Sequence, residues 1–262
     1  MLQVNGETLE FFVSGDRESR TVRLLIQGLG CEARYVWSDL VQSLKLQGDQ
    51  ALNVAFNVRG IGGSSGWPSS LVQMADDALE LLETLDAGPV HVVGHSLGGA
   101  VGLHLYSRAP SFVRSLTLMD SVPKYSDTSR RGFEWRAELV KQTGRVSSIF
   151  ESVVPRSFGS YTIHNQPDVI SGFCAMLSRQ SADVYSQICA LAASTDLREC
   201  LLSVRVPTRF IGGVEDHSTP PALLEDLAET IGCTFYRVAN AGHNPPVEQP
   251  EALARILLSD FS

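Results

Sequence analysis

Residues 90–100 constrain this chain more than any other stretch. A short apolar strand, Val90-His91-Val92-Val93, runs into the turn Gly94-His95-Ser96-Leu97-Gly98, and a helical pattern follows as far as Ala109, just before Pro110. A serine on so tight a strand-to-helix turn sits in strained backbone geometry, with its Oγ pushed clear of the chain. Glycines two residues before and after it leave room for backbone that a Cβ would strike. The N-terminus of the following helix supplies unpaired N–H groups and a positive dipole end where negative charge can develop. A phosphate-binding loop is the competing reading of these glycines, but the Lys-Ser/Thr ending it needs is absent.

The rest of the chain has the period such a turn requires. Short apolar, β-branched runs occur at 9–13, 22–26, 52–56, 90–93, 116–119, 209–211 and 235–238. Amphipathic stretches separate them. In 71–85 the residues Leu71, Met74, Ala75, Ala78, Leu82 and Leu85 follow the 3.6-residue period. After Pro220, Leu223, Leu224, Leu227 and Ile231 share one face, with Thr219 as the expected N-cap, Pro220 as the first helical residue and Gly232 as the stop. Strands alternating with helices predict an α/β fold whose mostly parallel central sheet is flanked by helices. The rhythm fails between about 124 and 190, where helix-like segments are broken by Gly144, Pro155, Gly159 and Pro167. That stretch reads as a helical cap inserted in the core of a single domain spanning 1–262.

Composition removes several classes of function. A formal net charge of −8 argues against nucleic acid, because phosphate contacts need clustered Lys and Arg. Five scattered cysteines, with no Cys-x-x-Cys pair, suit free thiols in a reducing compartment and neither a disulfide scaffold nor a zinc site. No apolar run is long enough to span a membrane, and the N-terminus lacks a basic start followed by an apolar core. The expected location is the cytoplasm.

With Ser96 as nucleophile, an acid and then a histidine are required later in the chain. His243, between Gly242 and the stiff Asn244-Pro245-Pro246, is the expected base, and Asp216, in the loop after 209–211, is the expected acid that orients it. Glu215 and Asp120 compete with Asp216. Of the other histidines, His91 and His104 read as packed or surface residues, His217 as a loop residue, and His95 as a residue that lines the pocket or packs beneath the nucleophile. His164 is kept as a substrate contact from the cap.

Taken together, these segments resemble the α/β-hydrolase superfamily over nearly the whole chain. Asn57-Val58-Arg59-Gly60-Ile61-Gly62-Gly63-Ser64 is similar to that family's Asp-x-Arg-Gly-x-Gly-x-Ser loop, and Val206-Pro207-Thr208, Gly242-His243 and Val247-Glu248-Gln249-Pro250-Glu251 match its later punctuation. Ala193-Ser194-Thr195-Asp196-Leu197-Arg198 and the closing Glu248 segment resemble the enol-lactone hydrolase and carboxylesterase branch. The segment from Gly28 to Trp37 is similar to the branch of small-molecule receptors and stress regulators. The resemblance implies an oxyanion hole made by the backbone N–H groups of Leu29 and Leu97, with Gly28 and His95 against the substrate. Gln27 stands where the family has His, and Asn57 where it has Asp; both positions brace loops around the site.

The function this implies is a serine hydrolase that cleaves a small-molecule ester, lactone or thioester through an acyl-serine, with no metal or organic cofactor. Two alternatives stand beside it: an acyltransferase whose acceptor is not water, and a ligand-binding regulator with slow turnover. Residues 124–187 carry eight basic and six acidic side chains, net +2, in a chain at −8. Arg130, Arg131, Arg136, Lys141 and Arg145 would suit a carboxylate substrate or an acidic acyl-carrier protein; a solvated helix face is the simpler reading.

Overall fold

The computed structural model describes residues 1–259, so the last three residues of the expected 1–262 domain lie outside the described residues. The strands are β1 (Leu2–Val4), β2 (Glu7–Leu9), β3 (Phe11–Ser14), β4 (Val22–Ile26), β5 (Leu52–Phe56), β6 (Val90–His95), β7 (Val113–Met119), β8 (Thr208–Gly213) and β9 (Thr234–Val238). The helices are α1 (Ala33–Leu46), α2 (Leu71–Thr84), α3 (Leu97–Arg108), α4 (Asp127–Thr143), α5 (Phe150–Ser157), α6 (Ser160–Asn165), α7 (Pro167–Ser178), α8 (Ala182–Ala193), α9 (Arg198–Ser203), α10 (Pro221–Ile231), α11 (Pro245–Glu248) and α12 (Pro250–Leu258).

β1 and β2 form a separate hairpin that turns at Asn5-Gly6, both at positive φ, which is the backbone a two-residue hairpin turn demands. The main sheet has the order β3-β5-β4-β6-β7-β8-β9; β3 runs antiparallel to β5 and every other pairing is parallel. The pleat sorts side chains between two layers. Val22, Leu24 and Ile26 of β4 join the core under α2 and α3, whereas Leu25 points the other way, into the core with α1 and α12. A strand buried on both faces reads as a mainly apolar run, and 22–26 and 52–56 are legible to the residue although each carries one buried polar side chain, Arg23 and Asn53.

The expected 9–13 run is instead split at Glu10, with Leu9 closing β2 and Phe11 opening β3. Glu10 is needed elsewhere, since its carboxylate accepts from Asn57 Nδ2 at 2.7 Å and from the Gly63 N–H at 2.8 Å. A second difference concerns α10. Its N-cap is Pro220 and its first residue Pro221, and the Thr219 side chain bonds Asp216 in place of a helix N–H. Gly232 ends that helix in the left-handed region, as expected.

α4 to α9 fill the chain between β7 and β8, and α4 packs against α8. Gly144 caps α4 at positive φ, Gly159 is the N-cap of α6 and Pro167 opens α7. Pro155 does not break the chain as expected; it lies inside α5. At the neck of the insertion Lys124 bridges to Asp196 through backbone pairing and an ion pair of 2.9 Å.

The chain leaves β4 toward β5 on one side, then returns across β4 to β6 on the other. The loops after β4 and β6 therefore part in opposite directions at the carboxyl edge of the sheet. That divergence is where open α/β sheets form a crevice.

Candidate active site

Ser96 sits at that crevice. Its φ of +54° and ψ of −121° fall where L-residues are rarely found, at the junction of β6 and α3. The turn is possible because its flanking glycines touch backbone: a Cβ on Gly98 would come 2.1 Å from the Ile26 carbonyl oxygen, and one on Gly94 2.5 Å from that of Gly98. The Ser96 N–H donates to the Met119 carbonyl at 2.8 Å, which fastens the turn to β7.

His243 is delivered by the loop after β9. Its Nε2 lies 2.9 Å from Ser96 Oγ, and its Nδ1 lies 2.7 Å from Asp216 Oδ2. A proton on Nδ1, donated to the carboxylate, leaves Nε2 as the acceptor for the serine O–H. Asp216, 2% exposed, accepts from the N–H groups of Ser218 (2.6 Å) and Thr219 (3.1 Å) and from Thr219 Oγ1 (2.5 Å). Burial works against its charge, but His243 and these donors outweigh burial and hold the carboxyl down at about 2.

The competitors are accounted for. Glu215 accepts from the Ser160 N–H at 2.8 Å and is engaged at the start of α6. Asp120 is completely buried, accepts from the Gly213 N–H at 2.9 Å, and makes no hydrogen bond to His243. Glu248 has a role that the sequence alone does not announce. It accepts from the N–H groups of Gly159 (2.7 Å), Gly242 (2.9 Å) and Asn244 (3.0 Å), clamping both sides of His243. Burial raises its carboxyl. The signal was a glutamate placed shortly after Gly-His-Asn-Pro-Pro, where no exposed face calls for one.

His95 is 2% exposed and lies between Trp37 and His243, with ring centroids 6.5 and 5.3 Å away. Its Nε2 contacts the His243 carbonyl at 2.6 Å; a carbonyl only accepts, so Nε2 carries the proton. Burial, and then the neighbouring His243, push its imidazole down to about 3, so it stays neutral. It lines the cavity and also ties the turn of Ser96 to the loop of His243. Gly28 lines the cavity as expected, and a Cβ there would sit 3.1 Å from Ser96 Cβ. Among the described residues no hydrogen bond uses the N–H of Leu29 or of Leu97. His164 does not reach the cavity: it is exposed on α6, with Nδ1 against the Ser160 carbonyl.

The departures at 27 and 57 have partners. Gln27 Nε2 donates to the Phe56 carbonyl at 2.8 Å, and Asn57 Oδ1 accepts from the Ala33 N–H at 2.7 Å. Together they fasten the loop after β4 to β5 and to the start of α1.

Over Ser96 lies a cavity of about 290 Å³. Tyr125, Phe133, Trp135, Phe173, Leu177 and Tyr185 supply apolar walls, while Arg136 and Arg156 are the charged residues of a lining that contains no carboxylate. Tyr125 shares the lining with Ser96, and burial pushes its phenol up to about 12, so it stays neutral. Cys31, also in the lining, is driven up to about 12 by burial and stays a thiol. All five cysteines are free. Among the described residues, the one cluster with the spacing of a metal site is Asp120, Asp216 and His243, and both nitrogens of that histidine are already engaged. No helix among the described residues is long and apolar enough to cross a membrane.

The model of the alpha/beta hydrolase fold family matches residues 24–158, just over half of the chain. This protein belongs to that family, and it is an enzyme of the α/β-hydrolase class. Over 252 residues it is 27% identical to 3-oxoadipate enol-lactonase 1 of Acinetobacter baylyi, covering 96% of this chain and 92% of the relative. A putative carbamate hydrolase, RutD, of Rhizobium rhizogenes is 28% identical over 254 residues, covering 93% of this chain and 94% of the relative. Among solved structures, a thermophilic esterase from Thermogutta terrifontis, malate bound, superposes with a TM-score of 0.87 at 26% identity, covering 97% of this chain and 94% of that one. The enol-lactonase from Burkholderia xenovorans, at 23% identity and a TM-score of 0.89 over 98% of this chain and 97% of that one, shares the fold.

Proposed function

We propose that this protein hydrolyses a small carboxylic ester, lactone or thioester through an acyl-Ser96 intermediate. The observation that carries the reading is the unbroken chain from Asp216 through His243 to Ser96, at 2.7 and 2.9 Å, at the floor of a cavity lined mainly by apolar side chains. Ser96 Oγ attacks the carbonyl carbon as His243 Nε2 takes its proton; Asp216 steadies the imidazolium. The N–H groups of Leu29 and Leu97 receive the developing oxyanion, each contributing roughly 3 kcal/mol to lowering the barrier. His243 then protonates the departing oxygen or sulfur, and water activated by the same histidine releases the acid.

A relative named for an enol-lactone and a neighbour named an esterase support hydrolysis at an acyl carbon. No observation favours acyl transfer or a slow regulator, so hydrolysis is carried forward. The cavity volume suits a small substrate, and the Arg136 and Arg156 side chains, with no acid beside them in the lining, support one that bears a carboxylate.

The test is a turnover screen across short aryl esters, lactones and thioesters, with and without terminal carboxylates. Repeated turnover in plain buffer is expected. Turnover that appears only when a thiol or carrier acceptor is added would replace hydrolysis by transfer.

A further inference from the structure

Asp120 is a buried titratable group that the mechanism above does not use. It follows β7 directly, its φ of +45° is one that aspartate rarely adopts, and none of its surface is exposed. Because β7 and β8 pair in parallel, with Met119 opposite Ile211, their ends bring Asp120 beside the loop that carries Asp216. The Asp120 N–H donates to the Ile211 carbonyl at 2.9 Å, and its Oδ1 accepts from the Gly213 N–H at 2.9 Å. Its Oδ2 is buried and no donor reaches it. One ligand atom each of Asp120, Asp216 and His243 lie within 4.8 Å of one another.

Two carboxylates cannot both stay ionised so close together in a dry site. The four donors that reach Asp216 fix the charge there: two backbone N–H groups, the Thr219 hydroxyl and His243 Nδ1. An orphan oxygen on Asp120 is costly as a bare lone pair of a carboxylate and cheap as an O–H with an acceptor nearby. We propose, on the footing of the Ser96-His243-Asp216 reading, that Asp120 is a positioning residue that stays protonated and donates toward Asp216, so that the pair carries one negative charge aimed at His243. Burial first, and then the charge on Asp216, raise the Asp120 carboxyl well above its ordinary value, with Glu248 adding to the effect and the Gly213 N–H opposing it. Those carboxylates and His243 are the titratable groups acting on it.

A proton held in the folded state has a consequence for stability. Unfolded, Asp120 ionises at about pH 4; folded, it stays protonated above that, so folding takes up a proton and stability falls as pH rises. The experiment compares chemical unfolding of the wild type and Asp120→Asn from pH 5 to pH 8. The amide keeps the shape and a donor but cannot ionise, while Glu248 and every other group remain in both proteins. The folding equilibrium constant of the wild type is expected to fall by up to about tenfold per pH unit relative to the variant. Parallel pH curves would overturn the proposal.

Kinetics supply a second readout. Asp120→Leu, which removes donor and acceptor, is expected to lower kcat by at least about tenfold with KM little changed, and Asp120→Asn to recover most of that loss. The acid limb of kcat/KM should keep its position in Asp120→Asn. A downward shift of that limb would mean that an ionised Asp120 had been supporting the imidazolium, and would also overturn the proposal. Turnover surviving in Ser96→Ala would sink the serine mechanism instead, and would leave the unfolding result standing.

Discussion

The sheet edge and the helical insertion contribute to one cavity in different ways. At the edge, the members of the Asp216–His243–Ser96 chain are held through the backbone: Ser96 by a turn whose glycines touch carbonyl oxygens, Asp216 by two N–H groups, and His243 by flanking N–H groups that Glu248 clamps with three hydrogen bonds. The insertion offers side chains from amphipathic helices. Phe133, Trp135 and Arg136 project from α4, Val153 and Arg156 from α5, and Phe173 and Leu177 from α7. Atoms fixed by backbone are insensitive to what packs around them, so this edge suits chemistry; side chains on helix faces change without disturbing the sheet, so the insertion suits selection of substrate.

That contrast predicts a gradient of effects. Asp216→Asn should keep the fold and lower kcat by about 10⁴, because the wrong tautomer of His243 is then favoured; near-full activity would mean the edge is not preorganised as described. Gly98→Ala, pressing a methyl group toward the Ile26 carbonyl 2.1 Å away, should destabilise the fold by about 3 kcal/mol or more, read from chemical denaturation. Arg136→Leu should raise KM for carboxylate-bearing esters by roughly tenfold and leave neutral esters nearly unaffected, which a paired substrate series will show. At the other end, Trp135→Ala, at a side chain 50% exposed on the cavity rim, should change stability by less than about 0.5 kcal/mol and alter only the range of acyl chains accepted.

The same contrast explains what the sequence disclosed. Ser96, His243 and Asp216 were readable because the backbone around them demands particular residues: glycine where carbonyls approach, a carboxylate where N–H groups converge, prolines where a loop must be stiff. The strands 22–26 and 52–56 were readable because burial on both faces leaves them apolar except at Arg23 and Asn53, which hydrogen-bond to each other. The sheet edge was harder to read. Glu10 interrupts an apolar run to serve Asn57 and Gly63, partners distant in sequence that no local pattern announces. Thr219 looked like a helix cap because its chemistry is that of a cap, yet its hydroxyl serves Asp216, and only the folded loop decides between the two. In the insertion the helices were visible but not the faces that meet the cavity. Arg136 stood out there only as one of several basic residues, and His164 was given a role that its exposed position on α6 denies.

The account depends on a hydroxyl at the end of β6 becoming the carrier of the acyl group. Intact-protein and peptide mass spectrometry of enzyme quenched during turnover of a slow ester, or treated with a fluorophosphonate, measures this directly. One added acyl or phosphonyl group on the peptide containing Ser96, absent from Ser96→Ala and slow to form in a His243→Ala variant, is the result expected. An unmodified Ser96 in an enzyme that is turning over, or a label on another residue, would contradict it.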